Sequence, residues 1–325
     1  MSFRSTLFLL IILFGVLALA ALMAFAWFAG PPQHASGPAT TVNICGSTID
    51  VRLEGDAKIV TREDLITWVR RAGEAVCTYY GKFPVPRLTL DIRVRGGAGV
   101  HGGVTYPEDG GYINISLGAD TTVAQLNNDW ELTHEMIHLA FPSMSRGHHW
   151  IEEGISVYVE PIARVQVEQL SAERMWSDVV RDMPQGEPGN GDRGLDNTHT
   201  WGRTYWGGAM FCLVADVRIR QQTSNGKGLQ DALRGILAAG GNITQDWEIE
   251  RALGVGDKAT GTTVLVDLYQ AMRNQADPVD LAALWKELGI HRGEDGSVQF
   301  EAAAPLAETR KAITRREAEA QHGQP

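Results

Sequence analysis

The sequence predicts an α+β body carried behind one apolar N-terminal helix. Three observations lead there: an unbroken apolar run over residues 7–29, strand-type alternation between residues 41 and 117, and helical periodicity that dominates from Thr121 onward. The chain has 325 residues, 44% hydrophobic and 21% charged, which is long enough for a sizeable core and too apolar for a disordered chain. Its 36 glycines follow no Gly-X-Y period, which excludes collagen, and three cysteines are too few for a disulfide-stapled miniprotein.

The first element is the apolar run of 23 residues. At about 1.5 Å per helical residue it reaches about 34 Å, enough to cross a hydrocarbon core of about 30 Å with some tilt. It reads as a transmembrane signal anchor occupying residues 1–30. The Met1 amine and Arg4 precede it and no Lys or Arg follows until Arg52. The positive-inside rule then puts the N-terminus in the cytoplasm and the body on the exported side, periplasmic or extracellular. Ala18-Leu19-Ala20 and Ala24-Phe25-Ala26 are small-residue sites at which a signal peptidase would instead release a secreted body. Residues 31–40, opening with Pro31-Pro32 and ending near Pro38, form a linker, and residues 41–325 form the body. Export permits disulfides. Cys45 with Cys77 is the favoured pair because Cys212 sits in an apolar helical stretch; three buried thiols are the alternative.

Only one of the 29 Lys and Arg residues lies in the first 30 positions, so the rest of the chain sets 28 against 39 Asp and Glu, a net of −11. This balance excludes a nucleic-acid partner, which calls for a basic stripe. It favours basic or amine-bearing peptides, weakly at physiological ionic strength.

Within the body, residues 41–53 are rich in β-branched side chains around a turn at Gly46-Ser47. Thr61, followed by Glu63 and Asp64, opens an amphipathic helix that runs to Tyr80. Residues 88–94 alternate as a half-buried strand does, and residues 102–117 read as a hairpin turning at Pro107-Glu108-Asp109-Gly110-Gly111. From Thr121 the apolar spacing turns helical through Leu126, Trp130, Ile137 and Phe141, and Pro142 stops it. The second half reads as mostly helical.

His134-Glu135-Met136-Ile137-His138 lies inside that helix. Two histidines at i and i+4 stand on one helix face, so both imidazoles reach one zinc ion while Glu135 points beside it. With 9 His among 325 residues, a shuffled chain contains this pattern only about 0.015 times. His34, His101, His199, His291 and His322 read as ordinary surface or core histidines. A catalytic zinc needs a third protein ligand and an open position. A third His six residues on falls at Met144, and Phe141 stands where that pattern wants Gly, so the third ligand is sought downstream. There, Arg146-Gly147-His148-His149-Trp150-Ile151-Glu152-Glu153-Gly154 leads into a second helix whose carboxylate can reach back. Glu152 and Glu153 are both candidates, and His148 and His149 are loop or substrate-side residues, or ligands themselves.

These blocks resemble the gluzincin metallopeptidases, which join His-Glu-x-x-His to a Glu on the following helix, commonly as Trp-x-x-Glu-Gly. The resemblance implies Glu153 as the third ligand beside His134 and His138, one zinc ion, and Glu135 as general base. Thr204-Tyr205-Trp206-Gly207-Gly208-Ala209 is similar to the Tyr-x-Lys-Gly-Ala segment of the aminopeptidase N and glycyl aminopeptidase families and implies Tyr205 as the donor to the oxyanion, with Gly207 in place of the usual Lys. Helical segments around residues 211–234 and 284–313 resemble the glycyl aminopeptidase type in particular, as a minimal catalytic domain without its PDZ domain. No Gly-x-Met-Glu-Asn segment is present. The fold implied is a zincin, thermolysin-like one: a mixed N-terminal sheet with the active-site helix, then a mostly helical lobe. The activity implied is peptide-bond hydrolysis at a membrane, by amino- or endopeptidase action. A binding or scaffolding protein that keeps the fold without turnover, and hydrolysis of a non-peptide ester or epoxide, are the competing readings. Gly102-Gly103-Val104-Thr105-Tyr106 is the candidate exposed hairpin edge, alongside the active-site helix, for pairing with an extended peptide, or its glycines only shape a bulge or turn. Glu108 and Asp109 at the hairpin tip are candidates to hold an amine, or serve the turn conformation alone.

Overall fold

The computed structural model describes residues 34–316, except the side chain of Asp109. The expected anchor, residues 1–30, lies outside the described residues. Among the described residues no helix is long and apolar enough to cross a membrane.

Strands β1 (Thr40–Ile44) and β2 (Ser47–Glu54) form a hairpin whose turn places Cys45 at φ 48° and Gly46 at φ 83°. Two successive left-handed residues match the twist of a two-residue hairpin. Helix α1 (Arg62–Tyr80) starts at Thr61, whose hydroxyl accepts from the Asp64 N–H while the Asp64 carboxylate accepts from the Thr61 N–H, and it ends at Gly81 in the left-handed region. Strands β3 (Arg87–Arg95), β4 (Val100–Tyr106) and β5 (Tyr112–Gly118) complete a five-stranded sheet in the order β1-β2-β3-β5-β4. The β2–β3 and β3–β5 pairs are parallel and the outer two pairs antiparallel, so the sheet is mixed. Its centre is the register Leu90 to Ile113 and Ile92 to Ile115, all fully buried. Strand β4 is an edge, with a bulge between Val100 and Gly103.

The sheet and helix α1 are tied together by a disulfide between Cys45, in the first turn, and Cys77, near the end of α1. Closing a loop of 32 residues contributes about 3–4 kcal/mol by restricting the unfolded chain. Cys212 is free and buried, and burial raises its thiol pKa.

The helical run after Thr121 is two helices, not one. Helix α2 (Val123–Asn128) ends where Asp129 turns extended at ψ 141°, and helix α3 (Glu131–His138) begins two residues later. The cause is Asp129 itself: its carboxylate accepts the main-chain N–H groups of Glu131 and Leu132 at 3.1 and 3.2 Å and the Trp68 indole N–H at 2.9 Å. A side chain that caps one helix while anchored to α1 cannot continue the previous one. Helices α4 (His149–Gln166), α5 (Ala172–Asp182), α6 (Gly208–Gln222), α7 (Leu229–Ala238), α8 (Ile249–Thr260), α9 (Val264–Met272), α10 (Leu281–Leu288) and α11 (Ala307–Thr314) make up the remainder. Two three-residue strands, β6 (Ile290–Arg292) and β7 (Val298–Phe300), pair between the last two helices. Helix α3 packs on β4, α1 packs on α3 and α4, and α4 packs on α6. The layering therefore sets α3 between the sheet edge and α4, where its polar face meets both.

Candidate metal centre

Helix α3 buries Leu132, Met136 and Ile137 in the core, which turns His134, Glu135 and His138 to the side shared by β4 and α4. The two imidazoles lie edge to face, 4.9 Å between centroids, as residues one turn apart do. Glu153 comes from the first turns of α4. Its Oε2 is 3.2 Å from His134 Nε2 and 3.6 Å from His138 Nε2. One donor atom from each of the three residues falls within 4.8 Å of the others. Burial alone would raise the Glu153 pKa, yet the facing His138, His134 and His149 hold the carboxyl well below the usual range. Against the effect of burial, Glu153 first and then Glu135 and Glu152 shift the His138 pKa up. Two Nε2 atoms and one ionised carboxylate oxygen aimed at a common point are the donor set of a catalytic zinc site with one position left open, so the residues fit that ion. The His134 Nδ1 is buried and makes no hydrogen bond among the described residues. Glu152 is turned elsewhere: it accepts the Met144 N–H at 3.3 Å and faces His149 Nδ1 at 3.3 Å. The two adjacent glutamates thus separate, Glu153 to the cluster and Glu152 to the loop.

Glu135 is only 8% exposed and sits against the sheet edge. The Thr105 hydroxyl on β4 donates to its Oε2 at 2.5 Å, and the same hydroxyl is 2.9 Å from the Glu135 main-chain oxygen. Gly103 makes this approach possible, because a Cβ there would lie 2.6 Å from Glu135 Cγ. One turn back along α3, the Glu131 carboxylate accepts the Gly102 N–H at 2.6 Å. Edge strand β4 and helix α3 are thereby pinned at two points.

Burial and the neighbouring Asp129 push the Glu131 pKa up from 4.5 to about 7, against the Gly102 N–H that lowers it. A carboxyl raised on folding is protonated in the folded state and ionised in the unfolded state between those values. The stability it contributes therefore falls as pH rises through that window. In metal-free protein, Glu131→Gln keeps an acceptor for Gly102 and removes the ionisation cost. It should match the wild type at pH 4 and exceed it by on the order of 2 kcal/mol at pH 8, read from urea midpoints. A variant no more stable than wild type at pH 8 would contradict this.

Tyr205 enters from the head of α6, on a π-helical turn, Arg203–Gly207, of the kind that often marks functional positions. Its hydroxyl hydrogen-bonds to Glu153; burial, with Glu153 and Glu135 nearby, raises its pKa. Its ring stacks on Trp201 at 5.6 Å between centroids. The turn is anchored by Arg203, which pairs with the buried Asp192 at 2.8 Å and donates to the Gly186 carbonyl at 2.6 Å. The structure thus brings His134, His138, Glu153, Glu135 and Tyr205 into one cluster. Sequence reasoning missed Thr105 as the partner of Glu135, and it missed Asp196, which accepts from the Trp150 indole and the Tyr269 hydroxyl, both at 2.9 Å. His148 lies beside that pair, 3.2 Å from the Tyr269 hydroxyl, and outside the metal cluster.

No protein-family model matches the chain, and no curated protein matches it. Among solved structures it is similar to an aminopeptidase N family protein from Idiomarina loihiensis, with a TM-score of 0.59 and 13% identity over 78% of this chain and 49% of that one. It is also similar to an M1 zinc metallopeptidase from Deinococcus radiodurans, with a TM-score of 0.47 and 12% identity over 74% of this chain and 52% of that one. The chain therefore spans about half the length of these proteins. The first likeness shows the fold alone: an α+β body of a mixed sheet and helices, shared with that aminopeptidase N family protein. On that fold the chain carries a two-histidine, one-glutamate group able to hold a metal.

Proposed function

We propose that this chain is a membrane-anchored, zinc-dependent metallopeptidase that hydrolyses peptide bonds on the exported side of the membrane. The observation that carries the reading is the convergence of His134, His138 and Glu153 within 4.8 Å, with Glu135 on the same helix face. His134, His138 and Glu153 would hold one ion. When bound, zinc would supply Lewis-acid polarisation and lower the pKa of a water to about 7. Glu135 would take a proton from the attacking water on its carboxylate and return it to the leaving amine. The Tyr205 hydroxyl, which donates to Glu153 here, would give up that bond to donate to the developing oxyanion. The free side of edge strand β4 offers main-chain groups to an extended peptide alongside α3, and the net charge of −10 favours amine-bearing ones. The apolar run over residues 7–29 of the sequence supports the location.

The test is zinc stoichiometry and hydrolysis of a mixed peptide library, offered with free and with acetylated N-termini. One zinc per chain, with turnover lost on chelation and regained on zinc addition, is expected. Cleavage confined to free N-termini assigns an aminopeptidase, and cleavage of both sets an endopeptidase. Full zinc loading with no hydrolysis of either set would turn the reading toward a non-catalytic binding protein.

A further inference from the structure

The two oxygens of Glu153 meet different partners. Oε2 faces His134 and His138, whereas Oε1 lies 3.2 Å from Nε2 of His149. His149 precedes Glu153 by four residues on α4 and therefore stands on the same face, one turn back. Its other ring nitrogen, Nδ1, is 3.3 Å from Glu152 Oε2, and Glu152 Oε1 accepts the Met144 N–H. A connected path thus runs from the loop after α3, through Glu152 and His149, to the far side of the Glu153 carboxylate. The His149 side chain is 40% exposed, yet both of its nitrogens are engaged. A pair with Glu152 alone would be an ordinary surface contact of small worth. The contact with Glu153 is different in kind, because that carboxylate is only 6% exposed and also takes a hydrogen bond from Tyr205.

We infer that His149 is a positioning residue for the metal: by occupying Oε1 it makes Glu153 offer a single oxygen, Oε2, to an ion held with His134 and His138. The inference rests on the zinc reading proposed above. A carboxylate that offers one oxygen leaves the fourth position of a tetrahedral ion open, whereas a carboxylate released from its partner is free to use both. Glu152 acts one step further out by orienting His149. The signal in the sequence is the spacing His149, Glu152, Glu153, which puts one imidazole within reach of two carboxylates on a single turn.

The experiment strips the full-length protein of metal in detergent and measures zinc affinity by competition with a chromophoric chelator. His149→Leu and His149→Ala should weaken zinc binding by about 10–100-fold, the usual range for partners behind a ligand. His149→Gln, whose amide donates from nearly the same position as Nε2, should stay within about threefold of wild type. Cobalt-loaded His149→Leu should show altered visible absorption, since the number of coordinating oxygens changes, while cobalt-loaded His149→Gln keeps the wild-type spectrum. Melting of the metal-free variants reports folding separately. Leu and Ala variants that bind zinc as tightly as wild type, with an unchanged cobalt spectrum, would overturn the inference and leave the zinc site standing. A Gln variant as weak as the Leu variant would overturn it too, by showing that the hydrogen bond is not what matters. A wild-type protein that takes up no zinc would remove the zinc reading and this inference with it.

Discussion

Replacing Glu135 by Gln is expected to lower peptide hydrolysis by about 10²–10⁴-fold while leaving zinc affinity within about threefold of wild type. The substitution is nearly isosteric, and the side chain is held in a tight slot. A Cβ on Gly103 would intrude to 2.6 Å from Glu135 Cγ, and Thr105 donates to Glu135 Oε2. A glutamine can present its carbonyl oxygen to the Thr105 hydroxyl, so the strand-to-helix contact survives and the fold is unchanged. What disappears is the ability to accept a proton. None of the three clustered donor atoms belongs to Glu135, so metal uptake should not follow the loss of turnover. This separation makes the variant informative: falling zinc affinity would make Glu135 part of the metal's support, and turnover near wild type would deny it the role of base.

How much of this was legible in the sequence depends on the range of the interaction that makes each feature. His134 and His138 were legible because four residues on a helix is a purely local rule. The β4–β5 hairpin and the Thr61 cap were legible for the same reason, since each depends on residues a few positions apart, whereas the first turn, expected at Gly46-Ser47, falls one residue earlier at Cys45-Gly46. Glu153 stood out from Glu152 only through a resemblance of the surrounding residues. Physically the choice is made by Met144 and His149, which hold Glu152 away from the cluster. The parallel pairing of β2 with β3 and of β3 with β5 leaves no local mark. For that reason the reach of Thr105 to Glu135, thirty residues away, was invisible, although residues 102–106 were legible as an exposed hairpin edge. Strands β6 and β7 are three residues each, too short for alternation to register. The break at Asp129 was hidden by apolar spacing that carries straight through it, and it depends on a partner, Trp68, sixty-one residues earlier.

Gly208→Ala is expected to weaken zinc binding at least tenfold, to lower turnover by more than about 100-fold and to destabilise the body by about 3 kcal/mol. Gly208 opens α6 where it crosses α4. A Cβ there would lie 2.1 Å from the Trp150 carbonyl oxygen and 2.8 Å from Gly154 Cα, while a Cβ on Gly154 would lie 2.3 Å from the Gly208 carbonyl carbon. The obstructing atoms are main chain on both sides, so no side-chain rotation relieves the overlap and the helices must separate. Each helix carries part of the site at this crossing: Glu153 precedes Gly154, and Tyr205 precedes Gly208 by less than one turn. Separation therefore moves the third donor away from the tyrosine hydrogen-bonded to it, and a shift of about 1 Å is enough to cost about 100-fold in rate. Gly254, inside α8 with nothing within 4 Å of its added Cβ, is the matched control. There Ala should raise stability by about 0.5–1 kcal/mol through helix propensity and leave zinc affinity unchanged. Equal melting temperatures and equal zinc affinities for Gly208→Ala and Gly254→Ala would show that the glycine crossing does not set the site.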